Sequence, residues 1–368
     1  MGATELRMAV AKWRLTLTNL ARLDRLGLVR DDADLASDWI STSPGAPYPP
    51  YDAPPFDRDP IHCPTDRLAG RIREFRGPLS VEYHTGFFYD GLRLVRNSWD
   101  GVHAQQFVGA TCPISRSRLK RQTIEEGVIL WGAYYLNYHH FLFDFAAKVD
   151  FVERCGLPPS IPFVLNQRMI STPLIAQARD LGLFGARPIV VLQRRHWLRA
   201  RRLYTVFADR PARGIAERLG ARADPRRRDR LYVSRNAAPG VMRRLTNEAE
   251  LVPELRARGF DIVNPAAWPL AEQVERFAAA SVVVGPHGSA LTNILFRAGA
   301  PLAVVEIIPD NKLYRHHFYE MSRIFGFDYR ATLSLATAPN DEAAPSELDI
   351  PQTLAAVDAA LAWEAAHR

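Results

Sequence analysis

Between residues 230 and 309 the chain alternates a short apolar run with a helical pattern. RLYVSR (230–235), DIVNP (261–265), SVVVG (281–285) and PLAVVEIIP (301–309) read as strands. TNEAELVPELRARGF, PLAEQVERFAAA and SALTNILFRAG read as the helices between them, and Gly259 stops the first of these. Short runs of this kind, with helices between them, are the pattern of parallel α/β layers. Few folds accept that order. It predicts a doubly wound, Rossmann-like α/β layer of the nucleotide-binding kind.

The first half alternates less regularly. LSVEYHTGFFYDGLRLVRN (79–97) reads as a hairpin turning at Asp90-Gly91. VILWG (128–132), PFVLN (162–166) and PIVVL (188–192) read as short buried strands, and YYLNYHHFLFDFAAKVDF (134–151) has helical periodicity. RRHWLRARRL (194–203) mixes arginine with Trp197 but follows an apolar run directly, so a basic strand or edge explains it better than a nucleic-acid surface does. Residues 1–40 read as helical, with Leu6, Val10, Trp13 and Leu17 near one face to pack on the protein itself; 43–60 is a proline-rich loop. GARADPRRRDR (220–230) reads as a linker, and Pro351 opens a C-terminal helix with Leu354, Val357 and Leu361 on one face.

A chain of 368 residues is too long for one typical core. The expected division is an N-terminal helical and proline-rich segment (1–60), an α/β domain (61–225), a nucleotide-binding domain (226–347) and a terminal helix (348–368) packing back on the first domain. No apolar run reaches membrane-spanning length, and the N-terminus lacks the pattern of a secretory signal. Cys63, Cys112 and Cys155 are odd in number and far apart, which argues against a disulfide framework or structural zinc and suits a reducing cytoplasm. The net charge is +7, but lysine occurs only at Lys12, Lys120, Lys148 and Lys312 among 47 basic residues. That bias towards arginine looks like base composition, so nucleic acid is not expected as a partner. Anionic phosphates and peripheral contact with the inner membrane face remain compatible.

The richest stretch is SVVVGPHGSALTNILF, where a buried strand becomes a helix through Gly285, Pro286, His287 and Gly288. A helix start has free N–H groups and positive potential, which suits a phosphate. Gly288 lets an anion approach the backbone, Ser289 caps or binds it, and His287 donates to it; the bland alternative is a tight turn. The stretch is neither G-x-G-x-x-G nor a P-loop. Arg235 follows its strand at the carboxyl edge of the sheet, where ligands sit in such folds, and Arg243 and Arg244 lie just beyond. Glu306 stands at the same edge of PLAVVE and would hold ribose hydroxyls, or be a salt-bridged surface residue. In NYHHFLFD, a helix capped by Asn137 puts His140 and Asp144 on one face as a base and its partner, in either order, or as a structural brace; His139 points elsewhere. The strings Asp32-Ala33-Asp34 and Asp57-Arg58-Asp59 follow no buried strand and are read as coincidence, so no metal site is expected.

SRN…RR…NE…L…GF, EQV, GPHGSALTN and VVEI in that order, with NYHHFLFD before them, resemble the glycosyltransferase family 61 domain over roughly residues 75–330. Ser289 and Asn236 depart from the pattern, which often has alanine and arginine there. The resemblance implies a GT-B-like fold of two facing Rossmann-like domains. It implies an inverting, metal-independent transferase moving a sugar from a nucleotide-sugar, a UDP-sugar being one candidate, to a hydroxyl of a glycan or polysaccharide. It needs no cofactor, and bacterial relatives are tied to capsule and cell-surface polysaccharides. The donor-side residues are then Arg235, Arg243, Glu248, His287, Gly288, Ser289, Ala290, Asn293 and Glu306, with His140 and Asp144 as the catalytic pair. Two rival readings fit the same architecture: a nucleotide-sugar epimerase or hydrolase, and a non-catalytic nucleotide-sugar-binding protein of polysaccharide assembly.

Overall fold

The computed structural model describes most of residues 70–367, apart from 84–85, 96–119, 132–135, 195, 209–212, 237–241, 313–316 and 342, and a few residues between 29 and 41. They form an α/β protein of two compact units, one drawn from residues 68–210 with the described residues before 45, the other from residues 211–368.

The first unit contains β1 (Val29–Arg30), β2 (Ile40–Ser41), β3 (Arg71–Val81), β4 (Phe88–Asp90), β5 (Arg93–Val95), β6 (Lys120–Thr123), β7 (Glu126–Ile129), β8 (Phe163–Asn166), β9 (Ile189–Leu192) and β10 (His196–Phe207). Its sheet runs β1-β5-β4-β3-β10-β7-β8-β9, with β2 on β3 and β6 on β10. The hairpin forms as expected, Asp90 facing Arg93 across a two-residue turn. The end of the segment read as helical instead pairs as strands, β1 on β5 and β2 on β3. Residues 1–28 of that segment, and the proline-rich loop, lie outside the described residues.

The basic run is a strand but not an edge. β10 is hydrogen-bonded to β3 on one side and to β6 and β7 on the other. Trp197, Leu198, Ala200 and Leu203 are buried while Arg199, Arg201 and Arg202 are exposed, so its charge is the outer face of a core strand. The helical pattern starts as α1 (Tyr138–His140), widens into a π turn over Phe141–Ala146 and continues as α2 (Ala147–Arg154). Short helices α3 (Gln167–Ile170) and α4 (Pro173–Asp180) follow β8.

The second unit begins with α5 (Arg213–Arg218) and then realises the predicted alternation: β11 (Asp229–Val233), α6 (Glu248–Ala257), β12 (Asp261–Val263), α7 (Leu270–Ala279), β13 (Ala280–Pro286), a 3-10 helix (Ser289–Arg297) and β14 (Ala303–Pro309). Then come α8 (His317–Phe325), β15 (Asp328–Ala336), β16 (Ser346–Leu348) and α9 (Ile350–Ala366). The strand order is β12-β11-β13-β14-β15-β16. The first five strands run parallel and β16 antiparallel. Every residue of β13 and β14 is buried, as strands covered on both faces require. Tyr232, Val282, Val284, Val305 and Ile307 form one core with Leu251 and Leu255 of α6 and Val357 and Ala360 of α9.

Two expectations change here. The C-terminal helix was expected to cross back to the first domain; α9 instead packs on the sheet of its own unit. Its buried Glu364 accepts from Arg230 at 2.7 Å and from the Ser281 hydroxyl, both on strands of that sheet. An apolar helix face is satisfied by the nearest uncovered sheet face, and β14 and β15 offer one. The stretch read as a linker is likewise built into the unit. Fully buried Arg297 donates to the carbonyls of Asp224 (2.9 Å) and Arg227 (3.0 Å), as well as to Ala278 (2.7 Å) and Pro301 (3.1 Å). Burial brings its pKa down to about 10. Among the described residues, no helix is long and apolar enough to cross a membrane.

Candidate functional site

In the second unit the strand order places β11 between β12 and β13, so the chain leaves β11 towards one side of the sheet and β13 towards the other. A crevice opens at the carboxyl edge where such paths diverge. Arg235 follows β11 there, and His287 and Gly288 follow β13. Gly285 is required by the same crowding: a Cβ on it would lie 2.9 Å from the Cβ of Val233.

The guanidinium of Arg235 donates through Nη1 to the carbonyl of His287 at 2.6 Å. It lies so close over Gly288 that a Cβ would meet Nη1 at 2.7 Å and Cζ at 3.0 Å. The glycine therefore makes room for an arginine, where the sequence suggested room for a phosphate. Arg235 is half-buried, and its pKa is brought down to about 10 by burial first and by the neighbouring Arg243 second. Arg243 is in the left-handed region, with φ 62, and its N–H donates to the Ala343 carbonyl at 3.0 Å. A non-glycine residue is held there only by its surroundings. Asn236, next to Arg235, is tied to Leu245: its amide donates to the Leu245 carbonyl (2.6 Å) and accepts the Leu245 N–H (3.1 Å).

The helix after Gly288 is 3-10 over Ser289–Arg297, not α. Gly288, Ser289 and Ala290 at its start are half-exposed, as are Arg235 and Arg243. Glu248, His287, Asn293 and Glu306, also expected as donor residues, are turned inwards. Glu248 is 5% exposed and accepts from the hydroxyls of Tyr232 (2.8 Å) and Ser234 (3.1 Å), which braces α6 against β11. Burial, with that carboxylate beside it, pushes the Tyr232 hydroxyl well above its usual pKa. Asn293 is fully buried and donates to Gln273 of α7 at 3.0 Å.

Glu306 is also fully buried. β14 continues to Pro309, so this carboxylate lies inside the strand rather than at its end. One oxygen is 2.5 Å from Nδ1 of His287 and the other accepts the Tyr329 hydroxyl at 2.6 Å. His287 is itself 5% exposed; its N–H donates to the Ile307 carbonyl (2.8 Å) and its ring meets Phe318 of α8 edge-on at 5.4 Å. Neither Tyr329 nor α8 was among the expected site elements. The pattern of Phe318, Met321 and Ser322, stopped by Gly326 at φ 72, is the signal that could have found the helix.

In the first unit, Asn137 caps the helix start, its side chain accepting the N–H groups of His139 (3.0 Å) and His140 (3.4 Å). Nδ1 of His140 is 2.8 Å from Oδ2 of Asp144. The pair spans the π turn, a local widening that often marks functional sites. Five of the six residues in that turn are buried and Asp144 is the half-exposed one. His139 stacks on Phe143 at 4.3 Å, away from Asp144, as its position suggested. Lys148, unexpected from the pattern, is 3% exposed and donates to the Trp131 carbonyl at 3.0 Å.

Among the described residues no group of three or more His, Cys, Asp and Glu side chains comes together as a metal cluster. Both Asp-x-Asp strings, Cys63 and Cys112 lie outside the described residues, and Cys155 is a free thiol. A family model described as Glycosyltransferase 61 matches residues 138–305, which take in the capped His140 helix and the arginine–glycine loop. No curated protein matches the chain.

Proposed function

Residues 138–305 make this chain a member of glycosyltransferase family 61, and from that premise we propose an inverting, metal-independent transfer of a sugar from a nucleotide-sugar to a hydroxyl of a glycan or polysaccharide. The donor belongs to the second unit. The observation that carries this is the half-buried Arg235, held over Gly288 by the His287 carbonyl with a second guanidinium near enough to lower its pKa. Two guanidinium groups brought together at a switch point suit an anion between them, and a diphosphate is the anion that such an edge commonly takes. The same arginines stabilise the charge that grows on the diphosphate as the glycosidic bond breaks, a task a metal performs in other transferases.

The first unit supplies the proton acceptor. With Nδ1 of His140 turned to Asp144, Nε2 is the ring nitrogen assigned to the base role. Nε2 takes the acceptor hydroxyl's proton as that oxygen attacks the anomeric carbon, and the bonding pair leaves with the diphosphate. Asp144 orients the ring and balances the charge it gains, as in other base–carboxylate pairs.

Calorimetric titration with UDP, GDP, dTDP and CMP, without and then with magnesium, tests the donor half. One of these should bind without metal and lose about tenfold to a hundredfold in affinity in Arg235→Ala. Absence of binding by all four would overturn the donor site. Rapid turnover of the nucleotide-sugar with no acceptor present would replace transfer by hydrolysis or epimerisation.

A further inference from the structure

Tyr329, Glu306 and His287 form a hydrogen-bonded chain across β15, β14 and the end of β13, three neighbouring strands of one sheet. The position of its hydrogens follows from counting donors. The Tyr329 hydroxyl donates its one hydrogen to Oε2 of Glu306 at 2.6 Å. As a carboxylate Glu306 only accepts, so the ring nitrogen 2.5 Å from its other oxygen is the donor, and each of its buried oxygens then has one donor. The ring is also anchored through its main chain, His287 N–H to the Ile307 carbonyl (2.8 Å) and Arg235 to the His287 carbonyl (2.6 Å). With the main chain held there and the ring edge-on to Phe318 at 5.4 Å, Nδ1 is the nitrogen that faces Glu306.

The geometry points to Glu306 and Tyr329 as positioning residues that hold the His287 proton on Nδ1, so that the neutral ring presents Nε2 as an acceptor. His287 then meets the donor through a ligand hydroxyl, of ribose or sugar, and not through a phosphate oxygen, which only accepts. The phosphates are left to Arg235 and Arg243. The tautomer stands independently of the donor-site reading; only the ligand contact rests on it.

The full chain, labelled with 15N-histidine, tests this by imidazole NMR at about pH 8.5, above the ordinary titration range of histidine. The His287 signals are assigned by their loss in His287→Gln. The expected spectrum has a proton on Nδ1 and a bare Nε2. A proton on Nε2 overturns the proposal, and this reading needs no ligand. In Glu306→Gln the Tyr329 hydroxyl pins the amide oxygen, which turns the amide N–H group towards His287. The proton then moves to Nε2, and in the double variant Glu306→Gln with Tyr329→Phe the two tautomers mix. An unchanged tautomer in all of these would overturn the positioning role of Glu306 and Tyr329. The second arm compares His287→Gln on whichever of UDP, GDP or dTDP binds and on inorganic pyrophosphate. The nucleotide should lose about tenfold and pyrophosphate less than twofold. Equal loss for both would return His287 to the phosphates and overturn the contact. If none of the nucleotides binds, the donor-site reading fails while the spectrum still decides the tautomer.

Discussion

Two histidine–carboxylate pairs among the described residues have similar contacts and opposite surroundings. His140 and Asp144 are 2.8 Å apart, with side chains 36% and 20% exposed. His287 and Glu306 are 2.5 Å apart, at 6% and 0%. The first pair lies on one helix, four residues apart, and water reaches it. The second joins the end of β13 to the middle of β14 and is closed over by Tyr329 and Phe318. Exposure sets what each can do. A pair in water contributes little to stability, and its histidine is accessible from solvent. A buried pair has given up its hydration, so removing one partner strands the other; its work is to hold shape and proton position. Similar chemistry is thus open to solvent in one place and closed into the fold in the other.

The largest way to break that comparison is His140→Ala. Loss of a general base should lower kcat by about 10²–10⁴-fold while leaving nucleotide affinity unchanged, read from steady-state rates and calorimetry on one preparation. An unchanged rate would remove the base from the first unit. Next in size is stability. Glu306→Ala should reduce the unfolding free energy by about 3–5 kcal/mol, against less than about 1 kcal/mol for Asp144→Ala, both by urea denaturation. Equal losses would erase the contrast.

The buried region should also respond to pH through Glu320 of α8, whose pKa burial raises to about 7. A carboxyl raised in the folded state stabilises most below its unfolded pKa, and that contribution disappears as pH rises through the folded value. Unfolding free energy should therefore fall between about pH 4.5 and 7, by up to roughly 3 kcal/mol, and Glu320→Gln should flatten that slope. The smallest effect belongs to His139. Losing its stack on Phe143 should cost about 1 kcal/mol of stability and leave kcat within a few-fold, separating it from the histidine beside it.

Much of the fold was legible because strands and helices announce themselves locally. SVVVG and PLAVVEIIP are unbroken apolar runs, and they became the fully buried β13 and β14. NYHHFLFD carried the cap and the four-residue spacing, and both formed. What was not legible is the direction of polar side chains at the sheet edge. Glu306, Glu248 and Asn293 are on elements correctly predicted, yet each faces the interior. Their partners lie 23, 16 and 20 residues away, and no short window shows them. The π turn was hidden as well, because a periodicity of 3.6 and a local widening differ by too little over six residues.

The alternation of elements, the place of the arginine and glycine loops at strand ends, and the His140–Asp144 spacing follow from local pattern, since each depends on residues near one another in the chain. That Arg235 covers Gly288, that α9 closes its own sheet, and that Glu306 serves His287 and Tyr329 came with the packing of distant segments. Those depend on which distant groups share a buried space, where a charge without a partner is too costly to leave alone.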